Sequence, residues 1–116
     1  MWRLGIEVFL DLDTIVQNQP LVSVIIPVYN GAAYLEKTIL SILSQDYPFI
    51  ECIVMDGGST DGTTRILEHY KDRLVYISKP DAGAADAINQ GFAIAHGSIW
   101  LYRCDRRQSR RVIPRA

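Results

Sequence analysis

The chain has 116 residues, 48% hydrophobic and 22% charged. This is ordinary globular usage and argues against a wholly disordered protein, and no apolar run approaches the ~20 residues of a membrane-spanning helix. The formal net charge of −1 hides a split: residues 1–102 carry twelve acidic and six basic side chains (−6), residues 103–116 six arginines and one aspartate (+5).

One domain is the expectation at this length. Residues 1–19 form a lead-in in which Leu4, Ile6, Val8 and Leu10 alternate, the pattern of a short edge strand. Glu7, Asp11 and Asp13 interrupt it, so it makes a poor signal peptide. Residues 21–29 (LVSVIIPVY) are β-branched and apolar throughout, which predicts a strand covered on both faces, with Pro27 near its end. Asn30-Gly31 is turn chemistry. Leu35, Ile39, Ile42 and Leu43 follow helical spacing within residues 32–44.

Residues 50–56 (IECIVMD) predict a second buried strand, and residues 57–62 (GGSTDG) a tight loop. Ser59 or Asp61 can cap the next helix, with Ile66, Leu67 and Tyr70 as its inner stripe. A short strand over 74–78, a loop over 79–83 and a helix over 84–95 follow. Gly97 sits where a helix-ending glycine belongs, and residues 98–102 open a fourth strand. Beyond Tyr102 the periodicity stops, and residues 103–116 are expected to be an unstructured arginine-rich tail. This alternation predicts a three-layer α/β fold with a mostly parallel sheet and right-handed crossovers. Cut after its fourth strand, such a sheet is expected to leave that strand and one face uncovered. The two cysteines make neither a disulfide framework nor a metal spacing, and Cys52 is expected to be buried in its strand.

Ligands of open parallel sheets bind outside the carboxyl ends of the strands. There the sequence places Pro27, Tyr29 and Asn30, then Asp56 and Gly58, then Asp81, Gly83 and Asp86. Asp56 suits the N–H edge of a base, and Tyr29 suits stacking on it. Asp56 also has a turn-forming reading, and Asp61 reads first as a helix cap. Neither the dinucleotide glycine fingerprint nor the phosphate loop ending in Gly-Lys-Ser/Thr is present. An acidic rim needs a divalent cation between itself and a diphosphate.

The block Pro20-Leu21-Val22-Ser23-Val24-Ile25-Ile26-Pro27-Val28-Tyr29-Asn30 resembles the opening of family 2 glycosyltransferases. So do Ser41-Ile42-Leu43-Ser44-Gln45 and Ile53-Val54-Met55-Asp56-Gly57-Gly58-Ser59-Thr60-Asp61-Gly62-Thr63. Pro80-Asp81-Ala82-Gly83, Asp86-Ala87-Ile88-Asn89-Gln90-Gly91 and Gly97-Ser98-Ile99 continue the likeness in order. It covers about residues 20–100, within a domain expected over 20–102, and implies the Rossmann-like GT-A fold, a nucleotide-sugar donor, commonly UDP-linked, and Mg²⁺ or Mn²⁺.

By position, the resemblance implies that Pro27 and Tyr29 border the nucleoside. Asp56 receives the base N–H, and residues 81–83 and Asp86 lie beside the donor. Two departures stand out. The family's basic residue before the glycine is Ala82 here, and the family's metal-holding Asp-x-Asp pair is reduced to Asp105 beside Arg106. Arginine beside a lone carboxylate makes a poor cation site. No residue matches the family's catalytic base, so none is named as catalytic.

The chain is therefore expected to be an inactive donor-binding portion, ended by truncation or a shifted reading frame near residue 100. Its acceptor and oligomeric state are not readable. A non-catalytic nucleotide-binding module is the first alternative. A binder of anionic polymers through the tail is the second, opposed by the acidic body, so no nucleic-acid partner is expected. A cytoplasmic location, peripheral to a membrane at most, fits the cysteine usage.

Overall fold

The computed structural model describes residues 20–103 and the backbone of residues 110–114. The possible edge strand before residue 20, Cys104 and Asp105 lie outside the described residues. The elements run β1 (Val22–Val28), α1 (Leu35–Leu43), β2 (Ile50–Asp56), α2 (Thr63–His69), β3 (Val75–Ser78), α3 (Ala84–Ile94), β4 (Ile99–Arg103) and β5 (Arg110–Pro114). They form one sheet of order β3-β2-β1-β4-β5. The first four strands are parallel, and β5 runs antiparallel to β4. The α/β architecture follows the expected alternation.

The two faces of the sheet separate by residue parity, because successive strand side chains point opposite ways. Val22, Val24, Ile26 and Val28 of β1 join Cys52, Val54 and Leu101 against Leu35, Ile39 and Ile42 of α1 and Leu67 of α2. Ile25, Ile53, Met55 and Tyr102 face Ala87, Ile88 and Phe92 of α3. Every residue of β1 is buried, which is why its sequence shows no polar alternation. Phe92 stacks on Trp100 at 4.8 Å between ring centroids and meets Tyr102 edge-on. Burial pushes the Cys52 thiol up to about 12, as suits a packing residue.

Three expectations change. The tail was expected to be unstructured, yet the backbone of Arg110–Pro114 pairs with β4 from Ile99↔Pro114 to Arg103↔Arg110. An antiparallel return needs only backbone groups and a short reversal, so polar composition did not forbid it. The same pairing covers the outer edge of β4, which had been expected to stay open.

Gly97 is not a left-handed helix cap: α3 ends at Ile94, with Ala95 already extended. Its role is close approach, since a Cβ there would lie 2.6 Å from both the Leu21 carbonyl oxygen and Ser23 Oγ.

Thr63, named in the sequence only as the end of a family-like block, is fully buried. Its hydroxyl accepts the Gly31 N–H at 3.0 Å and ties two loops together.

At the amino edge of the sheet, a polar cluster locks β1, β2 and the start of β4. Buried Ser23 donates to Glu51 Oε1 at 2.8 Å and accepts the Gly97 N–H at 2.9 Å. The His96 N–H also reaches Glu51 Oε1 at 2.9 Å, and its Nδ1 lies 2.7 Å from Oε2. Burial raises the Glu51 pKa, but the bonds from His96 and Ser23 outweigh it and hold the carboxyl below its usual value.

Candidate functional site

The carboxyl edge carries the residues singled out by sequence. Val28, Asp56 and Ser78 stand side by side in one register row across β1, β2 and β3. The chain leaves the sheet just after this row, so the three following loops start together. The Gly57 N–H bonds the Val28 carbonyl at 2.9 Å, and the Lys79 N–H bonds that of Asp56 at 2.9 Å.

Asp56 is 2% exposed, and its carboxylate is mostly engaged. Oδ2 accepts the Ser59 N–H at 3.1 Å and the Ser78 hydroxyl at 2.6 Å. Oδ1 accepts the Ser59 hydroxyl. The turn-forming role is thus present, and one of roughly four acceptor positions remains, on Oδ1. Ser78 carried no sequence signal of its own. Only the pairing of β2 with β3 reveals it.

Tyr29 follows β1 and is 50% exposed, so its ring offers a surface at the rim. Pro27 is buried inside β1, beyond the β4 ladder that ends at Ile25↔Tyr102. Asn30 adopts φ 49°, a left-handed conformation that asparagine tolerates. Its side-chain oxygen accepts the N–H groups of Thr60 at 2.8 Å and Asp61 at 3.3 Å. Its own N–H donates to Ser59 Oγ at 2.7 Å. Asn30 therefore holds the second loop against the first.

Asp61 does act at the helix start. Its Oδ1 accepts the Thr63 N–H at 2.9 Å and the Thr63 hydroxyl, and Oδ2 accepts the Ala32 N–H at 3.1 Å. The Thr63 hydroxyl, and then the Thr63 and Ala32 N–H groups, keep its pKa low.

Gly58 (φ 90°) and Gly83 (φ 112°) occupy conformations that disfavour any side chain, and they bring backbone to the rim. Gly58 also sits against Pro80, which joins the second loop to the third. Asp81 Oδ1 accepts the Gly83 N–H at 2.9 Å. Asp86, on the first turn of α3, accepts the Ala82 N–H and the Gln90 amide, both at 2.9 Å. The Ala82 N–H first, then Gln90 and the charge of Lys79, hold Asp86 below the usual carboxylate range. Both aspartates thus shape the third loop as well as charging it.

This rim of a Rossmann-like sheet matches a known family. The model of glycosyl transferase family 2 covers residues 23–106. The chain belongs to this family. An uncharacterized glycosyltransferase of Rickettsia typhi is 44% identical over 88 residues, covering 74% of this chain and 28% of that protein.

Among solved structures, a mannosyltransferase of Pyrobaculum calidifontis in complex with GDP-Man and Mn²⁺ is 32% identical with a TM-score of 0.68. That match covers 73% of this chain and 27% of that one. S. aureus TarS in complex with UDP-GlcNAc is 29% identical with a TM-score of 0.64, over 72% of this chain and 26% of that one. The chain thus spans between a quarter and a third of each of these relatives. The fold is that of the GT-A glycosyltransferases.

Among the described residues, no three His, Cys, Asp or Glu side chains converge as a metal site. No helix among these residues is long and apolar enough to cross a membrane.

Proposed function

We propose that this chain forms the donor-binding part of an enzyme that moves a sugar from a nucleotide-sugar to an acceptor. A uridine nucleotide is the expected donor class. One observation carries the reading. The half-exposed ring of Tyr29 follows β1 at the same edge where Asp56, at the end of β2, keeps one acceptor position. A base stacked on Tyr29 can offer an N–H to Asp56 Oδ1.

Pro27 backs the end of β1 from within the sheet. Asn30 positions the loop that carries Gly58. Gly58 and Gly83 let backbone approach the donor, and Asp81 and Asp86 set the loop beside it. The GDP-Man and UDP-GlcNAc of the relatives' complexes support a nucleotide-sugar as the donor.

The Mn²⁺ of the P. calidifontis complex supports a divalent cation in the complete enzyme, where it would neutralise the donor diphosphate. The role of this rim in the proposal is binding and orientation of the donor. The free, buried Cys52 thiol suits a reducing, cytoplasmic setting.

Isothermal titration with UDP, with and without MnCl₂, tests the proposal. Binding tighter than about 1 mM is expected. Tyr29→Ala should weaken it about tenfold or more without lowering the melting temperature, because the ring is outside the core. No heat from UDP at millimolar concentration, with or without Mn²⁺, overturns the proposal.

A further inference from the structure

Asn30-Gly31 is the only asparagine-glycine pair in the chain. In such a pair the glycine nitrogen can attack the asparagine Cγ, because no side chain hinders it. The new N–Cγ bond closes a succinimide ring. The Cγ–Nδ2 bond breaks, and ammonia leaves with the proton given up by the glycine nitrogen. Water then opens the ring at either carbonyl, to aspartate or to isoaspartate.

The fold calls for both residues. Asn30 has φ 49°, a left-handed conformation that asparagine accepts and most side chains do not. At Gly31 a Cβ would lie 2.5 Å from Val28 Cγ2 and 3.0 Å from the Tyr34 ring, and buried Val28 has little room to yield. A chemically labile pair is thus built into the turn after β1.

We propose that Asn30 is a latent deamidation site, kept from reacting by the hydroxyl of Thr63. Three successive N–H groups of this turn bond side chains that come from beyond β2. The Asn30 N–H bonds Ser59 Oγ at 2.7 Å, the Gly31 N–H bonds Thr63 Oγ1 at 3.0 Å, and the Ala32 N–H bonds Asp61 Oδ2 at 3.1 Å.

The middle bond is the guard. Attack needs the Gly31 nitrogen deprotonated and turned toward Cγ. Its proton instead rests on a fully buried oxygen, and Gly31 is itself buried, so hydroxide does not reach it. The Thr63 hydroxyl is held in this orientation by donating to Asp61 Oδ1. The Asn30 amide is fixed too, because its oxygen accepts the Thr60 and Asp61 N–H groups.

The two products differ in consequence. Aspartate keeps an oxygen for the Thr60 and Asp61 N–H groups and adds a charge near Asp61. Isoaspartate lengthens the backbone by its methylene, which moves the Gly31 and Ala32 N–H groups off Thr63 and Asp61. Deamidation by that route releases the second loop from the first, and the guard does not re-form.

The test is peptide mapping of the full chain by mass spectrometry after incubation at mildly alkaline pH, scored for aspartate and isoaspartate at position 30. Wild type in buffer is expected to convert at least about tenfold more slowly than wild type in urea. Thr63→Val removes the acceptor and should convert about threefold or more faster than wild type in buffer. Thr63→Ser keeps the hydroxyl and should stay within about twofold of wild type. Ser23→Ala weakens the domain at the opposite edge of the sheet, through Glu51 and Gly97, and should also stay within about twofold.

Equal conversion in buffer and in urea overturns the inference, and so does a Thr63→Val chain no faster than wild type. A Ser23→Ala chain as fast as Thr63→Val overturns it as well, since general loosening would then set the rate. If Thr63→Val does not fold, Asp61→Ala takes its place. It removes an exposed carboxylate that anchors the Thr63 hydroxyl, and the same threefold gain is expected.

Discussion

Replacing Ser23 with alanine removes one oxygen from the centre of the polar cluster at the amino edge of the sheet. Ser23 is fully buried, and its hydroxyl both donates to Glu51 and accepts the Gly97 N–H. Gly97 is itself buried, and a single lost hydroxyl opens too little room for a water. The Gly97 N–H then loses its bond to Ser23, at a cost of about 0.5–1.5 kcal/mol.

Glu51 loses one bond of about 1 kcal/mol net, cushioned because its side chain is 17% exposed and still holds His96. The total is about 1.5–2.5 kcal/mol, a sizeable share of the roughly 5–15 kcal/mol that stabilises a domain. With an m-value of about 1.5 kcal/mol/M, the urea midpoint should fall by about 1–2 M. Circular dichroism with unchanged m is the assay. A shift under about 0.3 M would show that Ser23 does not lock the strands.

The pH dependence has a fixed sign. The folded Glu51 pKa is depressed, so its bonds stabilise above the ordinary carboxylate range and fade as pH falls through the lower folded value. Below about pH 4 the gap between wild type and variant should narrow. It should not close, because the bond from the Gly97 N–H to Ser23 stays lost at every pH.

Two further outcomes follow from the loops and the core. Asn30→Gly keeps the left-handed backbone but removes the acceptor for the Thr60 and Asp61 N–H groups. Those two amides should exchange with deuterium severalfold faster, and unchanged protection would deny Asn30 its clamping role. In a Cys104→Ser chain, the buried Cys52 thiol, with its pKa pushed up to about 12, should react with a disulfide reagent only as urea unfolds the protein. Rapid labelling of the native chain would refute its place in the core.

Much of the fold is written in local pattern. The unbroken apolar run of β1 announces a strand covered on both faces, and the spacing of Leu35, Ile39 and Ile42 announces the helix that covers one of them. The positions of Tyr29, Asp56 and Asp81 at the carboxyl edge follow from the same alternation, because each ends a strand or opens the next loop. The motifs also point to the family, since their residues recur in fixed order.

Tertiary structure decided what those residues are bonded to. Ser78 meets Asp56 only because β3 pairs with β2 in one register, and no local pattern encodes a contact between residues 22 positions apart. Gly97 looked like a helix terminator because glycine serves both left-handed caps and close backbone approach. Only the packing against Leu21 and Ser23 separates the two. The pairing of Arg110–Pro114 with β4 was invisible for a related reason: a backbone ladder makes little demand on side-chain composition.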